Sequence, residues 1–324
     1  MSRISCTEGR PAVNLESTQL SRDDIEHKPV LLAEVLELLG PSPGKVVVDC
    51  TVGFGGHAAP ILERITSTGF LLGIDIDASC LPLARDRLES IGRNLDFWSG
   101  NFAQTEHIIS LLGGRRADVI LADLGVNSRQ LEDPSRGFSF LRDGPLRMNM
   151  SSDVPRDAAE LINTLSEREL ADLIYTYGED RQSRRIARFI CRTRQEERIR
   201  TTGQLACIVV RAIGRAGRRQ RIHPATRTFQ ALRIAVNSEL DNLEALLDGA
   251  KDILADDGRI GVISFHSLED RIVKHSFRRQ AKEGHLDVLT SSPVRPTQQE
   301  RTANPRSRSA KLRVARRRHR HFPN

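Results

Sequence analysis

Three aspartates in this 324-residue sequence close apolar, β-branched runs: Asp49 after Lys45–Val48, Asp75 in FLLGID, and Asp123 in ADVILAD. The first of these acids is followed by Gly53, Gly55 and Gly56, which lead through His57 into the apolar-periodic Ala59-Pro60-Ile61-Leu62. Glycines between a strand and a helix let the backbone approach a ligand closely. A carboxylate closing the next strand, about 20 residues on, can accept hydrogen bonds from two ribose hydroxyls. The residue types and their spacing point to a ligand built on a nucleoside.

Gly53-x-Gly55-x-x-Ala58 formally matches the dinucleotide fingerprint, and on that reading the chain is an NAD(P)-dependent oxidoreductase. Two details weigh against it. Asp49 precedes the first glycine by four positions, where dinucleotide loops place that glycine directly after the strand. His57 stands where a diphosphate would want bare backbone. An acid followed by glycines suits S-adenosylmethionine (SAM), whose sulfonium must pass close backbone. A tight strand–helix turn without a ligand is the third reading. Asp123, at the end of a later strand, would face the same crevice as Gly55 and Asp75. There it could lie beside a sulfonium or accept a hydrogen bond from an amine being methylated.

The short, β-branched apolar run at 45–50 predicts a buried strand, and further strands are read over 70–75, 95–99, 117–124 and 258–265, with helical patterns at 78–91 and 105–112 between them. Strands alternating with helices imply a parallel, doubly wound α/β sheet. From Asp157 to about Gly217 no strand is predicted and helical patterns repeat, the sign of a helical insertion. One long amphipathic helix is expected to follow, with Phe229, Leu232, Val236, Leu240, Leu243 and Leu247 on its apolar face. The first 26 residues read as a loose polar leader, and the chain from about Ser291 as a Pro-, Arg- and Ser-rich tail.

No apolar run approaches the roughly 18 residues of a membrane span. The five cysteines form no C-x-x-C pair, which argues against a zinc site or a disulfide framework and for a reduced, cytoplasmic setting. The net charge of +7 is segregated. Between Arg181 and Arg233 there are fifteen Arg and only two acids, and from Arg301 onward nine Lys or Arg and none. Two such zones on an acidic body suit a polyanion.

Longer blocks narrow the reading. HKPVLLAEVLELL, DCTVGFGGHA, GIDID, DLGVNSRQL, RGFSFLRDGPL, YGEDRQSRRIARFI, HPATRTFQALRIAVNSEL, GRIGVISFHSLEDRIVK and NPRSRSAKLRVA resemble the bacterial small-subunit (16S) rRNA cytosine-N4 methyltransferase family (MraW/RsmH) from about His27 to Ala315. The resemblance implies a class I SAM-dependent methyltransferase (Rossmann-like) domain over 27–137 and 222–324, interrupted by an all-helical domain over 138–221. It implies SAM as cofactor, and as acceptor the exocyclic amine of one cytidine in the decoding region. The implied partner is small-subunit rRNA or the ribosomal subunit, with a homodimer as a further expectation. Matched position by position, the cofactor contacts would be Gly55, Gly56, His57, Asp75, Phe102, Asp123 and Gln130, and no metal is expected. The chain departs from the family's LGVSSPQLD at Asn127 and Arg129, and from DGPLDMRMD at Arg147 and Asn149. A non-catalytic ribosome-assembly factor that kept the fold is the alternative these departures raise.

On this reading Asp123, or a backbone carbonyl just after it, accepts a hydrogen bond from N4–H, which helps the amine pyramidalise and later lose its proton. The cytosine N4 lone pair is delocalised into the ring, so in-line placement in a dry pocket matters more than a strong base. Phe138 and Phe140 are candidates to stack on a base taken out of its stack, Arg136 to hold a phosphate, and Arg184, Arg185 and Arg188 to track the backbone. His223 and His266 are read as structural, the latter just before an N-cap pair of Ser267 and Asp270.

Overall fold

The structure is a computed structural model that describes residues 29–92, 94–151, 155–214 and 222–319. The polar leader falls outside those residues. In chain order the elements begin with α1 (Leu32–Leu39), β1 (Val46–Asp49), α2 (Ala58–Ile65), β2 (Phe70–Asp75), α3 (Leu81–Glu89), β3 (Leu95–Ser99), α4 (Thr105–Leu111), β4 (Ala117–Asp123) and α5 (Ser128–Glu132). Four helices without a strand follow: α6 (Ala158–Thr164), α7 (Glu167–Gly178), α8 (Ser183–Glu196) and α9 (Thr202–Ile213). The chain continues through α10 (Thr226–Asn237), α11 (Glu239–Ile253), β5 (Leu254–Ser264), α12 (Ser267–Lys282), β6 (Leu286–Val288), α13 (Gln298–Ala303) and β7 (Lys311–Arg317).

The seven strands form one sheet in the order β3-β2-β1-β4-β5-β7-β6. The first five are parallel, and β7 runs antiparallel to both its neighbours. Parallel strands are buried on both faces, and the burial shows it. Val47, Leu71, Val119, Leu121 and Ile263 pack with the apolar faces of α1, α2 and α3, while Val48, Leu72, Ile120 and Val262 pack with those of α4, α11 and α12. This is the doubly wound arrangement that the alternating pattern predicts.

The chain divides into two compact units, one holding Glu132–Arg147 and Ala158–Leu232, the other Lys28–Leu131, Met148–Asp157 and Arg233–Asn324. Within the helical unit, Leu170, Ile174, Ile186, Ile190, Leu205 and Val209 are buried along α7, α8 and α9. Capping boxes start two of these helices, Ser166 with Glu169 and Thr201 with Gln204.

Three expectations change. The long amphipathic helix is two helices, because Ser238 takes left-handed backbone (φ 48°) and the Asn237 side chain bonds the carbonyls of Met148 and Arg233. β5 starts four residues before the apolar run, and its register against β4 shifts between Ala117 and Val119. The end of the basic tail is not a tail but β7, an interior strand of the sheet.

Candidate active site

Backbone geometry at the carboxyl end of the sheet decides what the three aspartates can do. β1 lies between β2 and β4, so the chain reverses direction across the sheet there, at the crevice where open α/β sheets hold ligands. Asp49 and Asp123 end the two strands that border it, and Asp75 ends β2. Cys50 N–H still bonds the Leu121 carbonyl and Val52 N–H the Ile74 carbonyl, after which the chain turns away through the glycines. Gly55 has a φ of +77°, and a Cβ there would sit 3.2 Å from Leu88. Only glycine takes that conformation without strain.

The turn is tied to the acids. Gly53 N–H donates to Asp75 Oδ2 at 2.8 Å, and Asp77 N–H donates to Asp75 Oδ1 at 2.9 Å. Thr51 N–H donates to Asp49 Oδ1 at 3.1 Å, while Thr51 Oγ1 accepts from the backbone N–H of Asp123 at 2.7 Å. Among the described residues no Lys or Arg pairs with any of the three carboxylates. Burial pushes Asp49 up to about 7, with a smaller push from the charge of Asp75. Burial likewise lifts Asp75 to about 6, against the hydrogen bonds from Asp77 and Gly53. Asp123 is raised well above the carboxylate range, first by burial and then by the charges of Asp49 and Glu269. Its Oδ1 is buried without a hydrogen-bond partner. The strand ends therefore gather three carboxyl groups that a cation would draw into their charged form, and an open acceptor.

The remaining sequence-derived residues take different places in this unit. His57 is buried; its Nε2 lies 2.9 Å from the Val30 carbonyl, so that nitrogen carries the proton, and its Nδ1 lies 3.6 Å from Asp123 Oδ2. Gly56 sits in the turn between Gly55 and His57. Phe102 packs partly buried against the sheet core beside Trp98. Gln130 is buried on α5, its Nε2 donating to Asp77 Oδ2 at 2.8 Å and its Oε1 accepting from Asn127 N–H at 3.0 Å. Asn127, a departure from the family pattern, returns the bond to Gln130 N–H and donates to Cys80 Sγ. Burial drives the Cys80 thiol up to about 12, so it stays protonated.

Of the two candidate stacking rings in the helical unit, Phe138 is buried, which fits packing and leaves little face for a base. Phe140 rests 4.5 Å from the His223 ring and 4.8 Å from the Phe229 ring. The expected N-cap of α12 moves one residue. His266, with Glu269, forms the capping box in place of Ser267 with Asp270, because His266 holds the extended backbone a cap requires.

A second charged group escaped sequence reasoning. Arg233 forks onto Glu239 with two 2.8 Å hydrogen bonds, and Glu239, His266 and Glu269 each bring one ligand atom within 4.8 Å of the others. Burial alone would raise Glu269, yet the ion-pair contact with His266, the Arg233 guanidinium and the backbone N–H of Phe265 hold it below the usual range. Both Glu239 oxygens already accept from Arg233, so the cluster carries its own cation where a metal would compete. Its members come from α10, α11 and α12, with no local motif to announce them.

The sequence matches the model of the MraW methylase family over residues 24–318. This chain belongs to the MraW methylase family. This MraW methylase is 49% identical over 304 residues to Ribosomal RNA small subunit methyltransferase H of Geobacter sulfurreducens, a match covering 89% of this chain and 98% of that protein. The protein of the same name from Sorangium cellulosum is 50% identical over 292 residues, covering 90% and 91%. That from Syntrophus aciditrophicus is 46% identical over 306 residues, covering 90% and 97%. The nicotinamide-enzyme and assembly-factor alternatives find no support in these matches. The α/β sheet of this MraW methylase, with β7 inserted antiparallel between β5 and β6, is a class I, Rossmann-like methyltransferase sheet.

Proposed function

We propose that this chain transfers a methyl group from SAM to the N4 amine of a cytidine in small-subunit ribosomal RNA. One observation carries the cofactor assignment: three carboxylates gathered at the ends of β1, β2 and β4 have no Lys or Arg partner among the described residues. Such a pocket repels a diphosphate and favours a ligand bearing a sulfonium and an ammonium. Family membership carries the substrate assignment. SAM supplies an activated methyl on sulfur. Asp75, with lone pairs left beyond its two backbone bonds, is placed to hold ribose hydroxyls. Gly55 and Gly56 let the backbone close on the ligand, and Asp49 and Asp123 offset its positive charge. His57, Phe102 and Gln130 complete the proposed contacts, Gln130 by fixing Asp77 beside Asp75.

SAM, held by these residues, would supply its methyl to the N4 lone pair and leave as the neutral thioether, and the methylated amine would have one proton to give up. Asp123 Oδ1 is the acceptor: buried, unpartnered, and of raised proton affinity. Burial raises the proton affinity of Asp123, and a cation bound beside it would favour its ionised form, leaving it able to take the proton that N4 sheds.

The test supplies labelled SAM to small subunits from cells lacking the enzyme and maps the methylated nucleotide. Label on a cytidine N4 supports the whole reading. Label on another atom removes the substrate assignment, and no label at all removes the activity. No helix among the described residues is long and apolar enough to cross a membrane, and we place the enzyme with its substrate in the cytoplasm.

A further inference from the structure

The ends of β4 and β5 leave two buried polar atoms unanswered. Asp123 pairs in register with Ile263, and Leu124 N–H donates to the Ile263 carbonyl at 3.0 Å, so the two strands finish side by side. Just beyond, Asp123 Oδ1 and His266 Nε2 are both buried without a hydrogen-bond partner. Leaving a buried polar group unpaired is costly, so two of them past paired strand ends point to a ligand that answers both.

The His266 ring is held, not loose. Its side chain is 10% exposed, and its Nδ1 accepts from Glu269 N–H at 3.4 Å in the α12 capping box. In the neutral ring the proton is therefore on Nε2. That nitrogen lies 3.1 Å from Glu269 Oε1, an ion-pair distance, but out of line for a hydrogen bond. Glu269 is answered elsewhere: its Oε2 accepts from the N–H groups of Phe265 and His266, and the Arg233 guanidinium adds its charge. Glu269 also acts electrostatically on Asp123, which places the two polar orphans in one electrostatic neighbourhood.

A buried acceptor past the end of β4 and a buried ring N–H donor past the end of β5 have a joint chemical reading. The Watson–Crick edge of cytosine offers an amine donor at N4 next to an acceptor at N3, whereas uracil offers the reverse. We propose that His266 Nε2–H donates to N3 of the target cytosine while Asp123 Oδ1 accepts from N4, so that His266 is the residue by which the site recognises its base. The assignment rests on the cytosine-N4 reading above. It accounts for why a histidine, an uncommon N-cap residue, starts α12.

The experiment is a double-substitution cycle on enzyme and substrate. Small subunits are reconstituted with cytidine or 3-deazacytidine, which lacks the N3 acceptor, at the target position. Single-turnover methylation is followed at saturating SAM for the wild type, His266→Ala and His266→Asn. Asn is a good N-cap and preserves the helix start, so it separates recognition from folding. The wild type should lose about tenfold or more in rate on the deaza substrate. Both variants should show a loss of that size on cytidine and less than about threefold further loss on 3-deazacytidine, with SAM affinity by calorimetry unchanged. Variants that methylate cytidine at the wild-type rate, or that lose the full factor again on the analogue, overturn the role of His266. Failure of the wild type to methylate cytidine N4 would instead remove the reaction assignment beneath it.

Discussion

Three acids crowded at strand ends work against folding until a cation arrives, and that has consequences in pH. Asp49 and Asp75 hold their protons to about 7 and about 6 in the free protein, because burial penalises the charged form. A folded-state value raised above the unfolded one means the native state binds more protons, so these groups make the free protein less stable as pH rises from the ordinary carboxylate range toward 7. SAM needs them ionised, so its affinity should fall as pH drops through 7 and 6, and binding near pH 6.5 should release protons. Calorimetry in two buffers of different ionisation enthalpy measures that release. Identical heats in both buffers would contradict it. Asp123 makes a separate prediction. Asp123→Asn keeps shape and size but cannot take a proton from N4, so turnover at saturating SAM should drop by about 100-fold or more. SAM affinity should change far less. Near-normal turnover would end the catalytic role.

Among the elements, β7 shows best what charge patterning conceals. Its sequence, KLRVARR, reads as one more stretch of a basic tail, yet it lies between β5 and β6 with Leu312, Val314 and Ala315 buried. The charges are consumed by acids distant in sequence: Lys311 and Arg313 on Asp270, Arg316 and Arg318 on Asp287, Arg317 beside Asp256. Asp270→Asn leaves the buried Arg313 and the half-buried Lys311 against one neutral amide, and should cost about 3 kcal/mol in urea unfolding. A change under about 0.5 kcal/mol would mean the pairs are as weak as exposed ones. The contrast with β1 to β4 explains what was legible. β1, β2 and β4 are continuous apolar runs, and their closing aspartates and the glycine turn are local in sequence, so Asp49, Gly55, Asp75 and Asp123 could be found without a structure. Arg233, Glu239, His266 and Glu269 could not. They meet only because α10, α11 and α12 converge, and the left-handed Ser238 that lets Glu239 turn back toward Arg233 carries no glycine or proline as a marker.

At the scale of the whole molecule, the two basic zones part company. The C-terminal zone is largely neutralised within the sheet unit. The helical unit keeps its excess: residues 158–232 hold fifteen Arg, no Lys and eight acids. Even there some charge is spent, since Arg184 reaches Asp172 at 3.4 Å and Arg188 reaches Glu167 at 3.6 Å, although these exposed pairs are worth little and are screened by salt. Arg185 and Arg192, exposed on the same helix, are the cleaner probes of a phosphate-binding face. Each phosphate contact adds about 0.7 to the slope of log affinity against log salt for single-stranded nucleic acid. Replacing both with Gln should therefore raise KM for the small subunit and lower that slope by about 1.4. The rate at saturating substrate should hold, because the strand-end acids are carried by β1, β2 and β4 and not by α8. Arg316→Gln and Arg318→Gln, made together in the paired zone, should leave the salt slope where it was. Equal slopes in all three proteins would mean that the helical unit's arginines face solvent rather than RNA, and the polyanion would have to be held elsewhere.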